Sequence, residues 1–351
     1  MKNTEKQLKR IREWMDIPVG FKPGMKNSIT DVEGVTCSHV TIVGDGIRTG
    51  LTLISPCDGD VFENPLPAAI VVGNGFGKLT GSSQVEELGE IESLIGLTNT
   101  LSVAALMQGL VEYHAPKLPA LYNSINIVVG ETNDGRLNDI RGCHVKPHHV
   151  AQAIELLSTD VEEGSVGAGA GTVAFGYKGG IGTSSRIVPK EVTNEDRDFA
   201  IGVLVQSNYG GNLKIYGTDI KKPKEPQMPE NGSCMIVVIT DAPLSSRQLK
   251  RFGKRALIGM TNTGSIMQNG SGDFVIAASN YSQNRRNREN KGQSYYYLSD
   301  IQLNPFFEAC ADAVQEALYN SITMAEGVGE VLGLNLEDYA DILPLKSVNK
   351  G

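Results

Sequence analysis

The residues with the most chemistry in them are Asn269-Gly270-Ser271-Gly272-Asp273, immediately before an apolar run at 274–278 that reads as a buried strand. A serine between two glycines has little side-chain crowding, and glycine permits backbone geometries that other residues resist. The Gly270 carbonyl can then turn toward the Ser271 hydroxyl, the arrangement a chain needs to cut itself. The hydroxyl attacks Gly270, an ester forms, and water releases a new N-terminal serine. Such a serine holds nucleophile and base in one residue, because its α-amine lies beside its hydroxyl. The same five residues also fit a plain glycine-rich turn opening a strand. Two more residues stand at strand ends. Glu131, after the apolar run 125–129, is placed to meet a substrate ammonium group, or else belongs to a solvated turn. Asn208, after 201–206, offers an amide that can donate to a developing oxyanion, or is an ordinary turn asparagine.

Other candidates carry less. The segment 164–186 holds eight glycines, and Gly169-Ala170-Gly171-Thr172 superficially matches a dinucleotide fingerprint. That fingerprint needs a strand before it and a helix after it. Here the following residues read as a strand pair, 172–176 and 181–187, so a glycine-lined wall near an active site is the better reading. His144, His148 and His149 lack a carboxylate at a ligand spacing, so no metal is expected, and no cofactor is implied. Arg285, Arg286 and Arg288 lie among Asn and Gln residues and read as a solvated loop.

Positioning these residues falls to alternating strand and helix patterns. Strands are expected at 68–72, 125–129, 201–205, 235–239 and 274–278. Helices are expected at 100–114, 147–158, 246–260 and 304–325, the last capped by Asn304 with Pro305 as its first residue. The mixture calls for a layered α/β body, and without a clean linker the 351 residues read as one domain. Residues 208–233 read as a loop or excursion between strands, and residues 1–25 as an amphipathic N-terminal extension with Leu8, Ile11, Trp14 and Met15 on one side. A net charge of −8 argues against nucleic acid as a partner. No run of 18 apolar residues predicts a membrane span, and no apolar signal-peptide core is present. Five widely spaced cysteines without a CxxC pair fit a reducing cytoplasm, with Cys234 and Cys310 as core thiols.

Taken together, several segments resemble one family. They are Ser28-Ile29-Thr30-Asp31-Val32-Glu33-Gly34-Val35, Arg48-Thr49-Gly50-Leu51-Thr52, Asn74-Gly75-Phe76-Gly77-Lys78, Gln84-Val85-Glu86-Glu87-Leu88-Gly89 and the stretch 97–103. Glu131-Thr132-x-Asp134-Gly135-x-Leu137-Asn138-Asp139, 167–186, 202–210 and 269–273 follow. In this order they resemble the L-aminopeptidase D-Ala-esterase/amidase family, which includes the β-peptidyl aminopeptidases. The resemblance spans roughly residues 25–330.

It implies a four-layer αββα sandwich, similar to N-terminal nucleophile hydrolases but differently connected, and shared with ornithine acetyltransferases. It implies self-cleavage at Gly270-Ser271 into chains 1–270 and 271–351, with Ser271 also the nucleophile of turnover. Asn208 would stand at the oxyanion hole, and Glu131 would bind the free amino group of a small peptide or amino-acid amide. A homo-oligomer of αβ heterodimers is expected. β-Peptidyl members carry a serine followed two residues later by a glutamate. The matching stretch here is Leu298-Ser299-Asp300-Ile301, with Ser299 in the serine's place and Ile301 in the acid's. Asn133 sits where the family commonly has an aromatic residue, which points to a different substrate preference. An acyltransferase of the ornithine acetyltransferase type and a non-catalytic glycine-rich binding protein remain as alternatives.

Overall fold

The computed structural model describes residues 8–18, 20–223, 232–289 and 292–346. Its strands, in chain order, are β1 (Thr36–Gly44), β2 (Ile47–Ser55), β3 (Leu66–Gly75), β4 (Glu90–Ile91), β5 (Ile95–Asn99), β6 (Val128–Thr132), β7 (Val173–Ala174), β8 (Tyr177–Lys178), β9 (Ile181–Val188), β10 (Phe199–Asn208), β11 (Lys214–Ile215), β12 (Thr218–Asp219), β13 (Ser233–Thr240) and β14 (Gly272–Ser279). The helices are α1 (Ile11–Trp14), α2 (Ser82–Leu88), α3 (Val103–His114), α4 (His148–Glu155), α5 (Lys190–Thr193), α6 (Ser246–Asn262) and α7 (Asn304–Thr323).

Two sheets dominate: a four-stranded sheet in the order β1-β2-β5-β6 and a six-stranded sheet in the order β4-β3-β14-β13-β10-β9. The central strands of the larger sheet, β10, β13 and β14, are buried along their whole length, as expected of strands covered on both faces. Alternation decides which side chain serves which core. Phe274, Ile276 and Ala278 join Ile95, Leu97 and Val128 between the sheets, while Val275 and Ala277 face Leu249, Phe252, Val314 and Leu318 of α6 and α7. On the outer side of the smaller sheet, Leu106 and Leu110 of α3 and Val150 and Ala153 of α4 pack with Leu51, Leu53 and Val129. The layers therefore run helix, sheet, sheet, helix, the αββα sandwich expected.

Several local expectations change. Residues 181–187 do not pair with 172–176. The short β7 pairs with β8, while β9 pairs along its length with β10, where its mostly buried side chains find a partner strand. Asn304 is the first residue of α7 rather than its cap, because a 3-10 turn over Asp300–Leu303 runs straight into the helix. The segment 208–233 contains the small β11–β12 hairpin, and its residues 224–231 lie outside the described set. Of the amphipathic N-terminus, residues 1–7 lie outside it as well. Ile11, Trp14 and Met15 are buried against α7, where Arg12 pairs with Glu316 at 2.6 Å. The basic run is not simply solvated. Arg286 pairs with Glu90 at 2.5 Å, Arg288 pairs with Glu92 and lies over the Phe62 ring, and Arg285 donates to the carbonyls of Asp58 and Asn64.

Candidate active site

Ser271 is the residue immediately before β14 and is 3% exposed. β14 lies at the centre of the six-stranded sheet, parallel to β13 and antiparallel to β3. Backbone bonds hold the entry to it. Ser271 N donates to Gln268 O at 2.8 Å, Gly272 N to Gly232 O at 3.1 Å, and Phe76 N to Ser271 O at 3.1 Å. The Asn74 side-chain amide donates to Ser271 O and also to the carbonyls of Gln268 (3.0 Å) and Asn269 (3.2 Å), so one side chain gathers the loop over the proposed cut. Gly272 is required by closeness: a Cβ there would stand 2.7 Å from Phe76 O. The Ser271 hydroxyl donates to Asp273 Oδ1 at 2.8 Å. Asp273 is fully buried, and among the described residues its Oδ2 has no hydrogen-bond partner. Burial pushes its pKa up to about 6, against the downward pull of the Ser271 hydroxyl and the Cys234 backbone.

The sheet register brings the next group alongside. Gly272 pairs with Ser233, and Ser233 pairs with Asn208, the last residue of β10. Two strand spacings place the Asn208 and Gly272 backbones roughly 10 Å apart. Asn208 Oδ1 accepts from Val173 N at 3.0 Å, which orients the amide and leaves its NH2 as the donor end.

The facing sheet supplies the acid. Glu131, in β6, is 2% exposed. Its Oε1 accepts from Lys78 N (2.9 Å) and Lys78 Nζ (3.1 Å), and its Oε2 accepts from the Thr100 hydroxyl. The two sheets meet at Gly77: a Cβ there would stand 3.2 Å from Glu131 Oε1 and 3.4 Å from Gly272 Cα. Around this point lies a cleft of about 370 Å³ lined by Gly75, Phe76, Gly77, Lys78, Thr100, Glu131, Asn133, Gly232, Ser233 and Gly270. The carbonyl side of the Gly270-Ser271 bond and the buried acid thus share one cavity.

The profile of peptidase family S58 matches residues 27–335. The chain belongs to peptidase family S58. As a family member it is a peptide hydrolase. It is 34% identical over 354 residues to a β-peptidyl aminopeptidase, BapA, of Sphingosinicella microcystinivorans, covering 92% of this chain and 88% of the relative. Among solved structures, a protein of Pyrococcus horikoshii matches with a TM-score of 0.87 and 38% identity over 95% of this chain and 98% of the other. The L-aminopeptidase D-Ala-esterase/amidase of Ochrobactrum anthropi, described as a prototype for the serine aminopeptidases and a new variant of the N-terminal nucleophile hydrolase fold, matches with a TM-score of 0.85 and 30% identity over 95% and 99% of the two chains.

Within this S58 frame the candidate residues divide. Ser271, Asn208 and Glu131 come to one end of the sheets, with Gly270 and Asn133 on the cleft wall. Asn133 is exposed, and its Oδ1 accepts from Gly135 N at 2.9 Å. Glu131 is not a residue after its strand but lies inside β6. Ser299 is elsewhere. Its neighbour Leu298 donates its N–H to Pro243 O, past the far end of β13, whereas Ser271 adjoins Gly232 at the near end. The eight residues of β13 separate those ends by roughly 23 Å. Ser299 is exposed there, its hydroxyl bonded to Gln302 Oε1 at 2.7 Å, and the adjacent Asp300 pairs with Arg247 and Arg251. Lys78, Thr100, Asn74 and Asp273 lie in the matching segments, but the sequence assigns them no role. Only Asp273 had a readable signal: two positions beyond Ser271 on a strand, it shares the serine's side.

Proposed function

We propose that this S58 peptidase is an aminopeptidase that removes the N-terminal residue from short peptides, amino-acid amides or esters, using an N-terminal Ser271 freed by self-cleavage at Gly270-Ser271. The observation that carries this reading is the shared cavity. Gly270 and Glu131 line it together, and a Cβ on Gly77 would meet both Glu131 and the residue after Ser271. A substrate ammonium held at Glu131 puts the first carbonyl carbon within reach of Ser271. After the cut, the Ser271 α-amine, with a reference pKa of about 7.7–8.0, serves as the general base. Ser271 Oγ attacks, the Asn208 NH2 donates to the oxyanion, the leaving amine takes the proton, and water then releases the acyl group. No cofactor enters the scheme. The relatives' β-peptidyl activity makes N-terminal β-amino acids a candidate substrate class beside α-residues, and the exposed Asn133 on the cleft wall is where that preference is tuned. An assembly of αβ heterodimers in the cytoplasm fits the same reading. Among the described residues no helix is long and apolar enough to cross a membrane.

Two measurements test this. Denaturing intact mass of fresh protein should give two species, one starting at Ser271, in place of a single 37.7 kDa chain. Paired substrates with free and acetylated N-termini should be hydrolysed and refused, respectively. A whole chain, or equal turnover of both substrates, would refute the reading.

A further inference from the structure

In the uncut chain Ser271 has no free amine, so the group that activates its hydroxyl for self-cleavage must come from elsewhere. The hydroxyl has one recorded partner, Asp273 Oδ1 at 2.8 Å. That carboxylate is fully buried, and among the described residues its Oδ2 is unpartnered and no cation pairs with it. A buried carboxylate with spare acceptor capacity and no counter-charge is poised to take a proton. Its place is set by the fold. Asp273 pairs with Cys234 on β13 and with Asn74 on β3, with a bulge just after it. The same Asn74 holds the Ser271, Asn269 and Gln268 carbonyls.

We propose that Asp273 is the base of self-cleavage: its carboxylate takes the Ser271 hydroxyl proton as Oγ attacks the Gly270 carbonyl carbon. The inference rests on the self-cleavage reading above. Oγ, Cβ, Cα and N of Ser271 close a five-membered ring with that carbon. The Oγ–C bond forms, the Gly270 C–Ser271 N bond breaks, and the proton held by Asp273 passes to the departing nitrogen, restoring the carboxylate. The ester between Gly270 and Ser271 Oγ then takes up water, yielding the Gly270 carboxylate and the free hydroxyl. No oxidant, metal or further reactant is consumed. The titratable groups facing Asp273 are the Cys234 thiol on β13 and the Tyr209 phenol after β10. Burial foremost, helped by the Asp273 charge for Cys234 and by Cys234 and then Asp273 for Tyr209, holds the pKa of each well above its usual range, so neither competes as a base near neutrality. From β3 the partner is the neutral Asn74 amide.

The test is a chase of full-length chain made by cell-free translation, with conversion to the fragment starting at Ser271 followed by mass between pH 4.5 and 8. Asp273→Asn, with an unchanged melting transition, should cut at least about 100-fold more slowly, the usual worth of a positioned base. The wild-type rate should fall tenfold per unit once pH drops below the Asp273 pKa of about 6, as the carboxylate is protonated, and Asp273→Asn should lose that inflection. A folded Asp273→Asn that cuts at the wild-type rate overturns the role of Asp273 alone. If the variant does not fold, the wild-type profile decides, and a rate flat to pH 4.5 overturns the proposal. A wild-type chain that never cuts overturns the self-cleavage reading and this inference with it.

Discussion

The two ends of the six-stranded sheet are built from similar residue types and differ in how fully those residues are satisfied. At the far end, Ser299, Asp300, Gln248, Gln302, Arg247 and Arg251 form a closed set. The serine bonds to Gln302, Asp300 takes both arginines and Gln248, and Gln302 reaches the Thr193 carbonyl and Glu195. At the near end, among the described residues, Asp273 leaves one oxygen without a partner, and glycines at 232 and 272 let backbones approach where a Cβ would stand 2.6 Å from Tyr209 Cα and 2.7 Å from Phe76 O. Paired polar groups at an exposed rim add little stability and no reactivity. Unpaired ones in a buried site cost stability, and they persist where catalysis uses them. The difference in satisfaction, rather than the presence of serine and acid, separates the end proposed to react from the structural one.

The contrast breaks most decisively at the proposed nucleophile, Ser271. Ser271→Ala should remain a single full-length chain by intact mass and show no hydrolysis. A cut Ser271→Ala chain would move the chemistry away from this end altogether. Next in size is Asn208→Ala, which should lower kcat about 10²–10³-fold with cleavage into two chains intact, the usual worth of one oxyanion donor. A loss confined to KM would instead make Asn208 a binding group. Glu131→Gln should lower kcat/KM about 10–100-fold for free-amine substrates, since a bond from a cation to a buried carboxylate is worth about 1.5–3 kcal/mol. It should leave acetylated substrates as poor as before. Equal loss on both would mean that Glu131 holds the cleft's shape through Lys78 and Thr100 rather than reading the amine.

Most of the architecture was legible in the chain because buried strands write themselves as apolar runs: 201–205, 235–239 and 274–278 all lie inside observed strands. Pairing was not, since 181–187 is adjacent in sequence to one strand and adjacent in space to another, β10, more than ten residues further on. The site divides along the same line. Ser271 and Asp273 are two residues apart, so strand period puts them on one side. Glu131 and Lys78 lie in segments far apart in sequence, and only the packing of one sheet on the other brings them within 3.1 Å. Ser299 shows the opposite failure. Its neighbourhood matches a pattern by spacing along the chain, and the three-dimensional path carries it to the wrong end of β13.

The smallest expected effect is therefore the sharpest check on the comparison. Ser299→Ala removes a hydroxyl that bonds to the Gln302 side chain at the entrance of the 3-10 turn Asp300–Leu303. Ser299 N still donates to Gln302 Oε1 at 2.8 Å, and Gln302 N to Ser299 O at 3.1 Å, so the turn keeps its backbone closure. Losing a helix-entry hydroxyl typically costs about 1 kcal/mol or less at an exposed site, a fall in Tm of roughly 1–3 °C. Cleavage at Gly270-Ser271 and kcat/KM should both stay within about twofold of wild type, because roughly 23 Å of strand separates the hydroxyl from the cleft. A hundredfold loss of either with Tm unchanged would show that Ser299 reaches Ser271 in the working enzyme, and the far end of the sheet would have to be counted as part of the site.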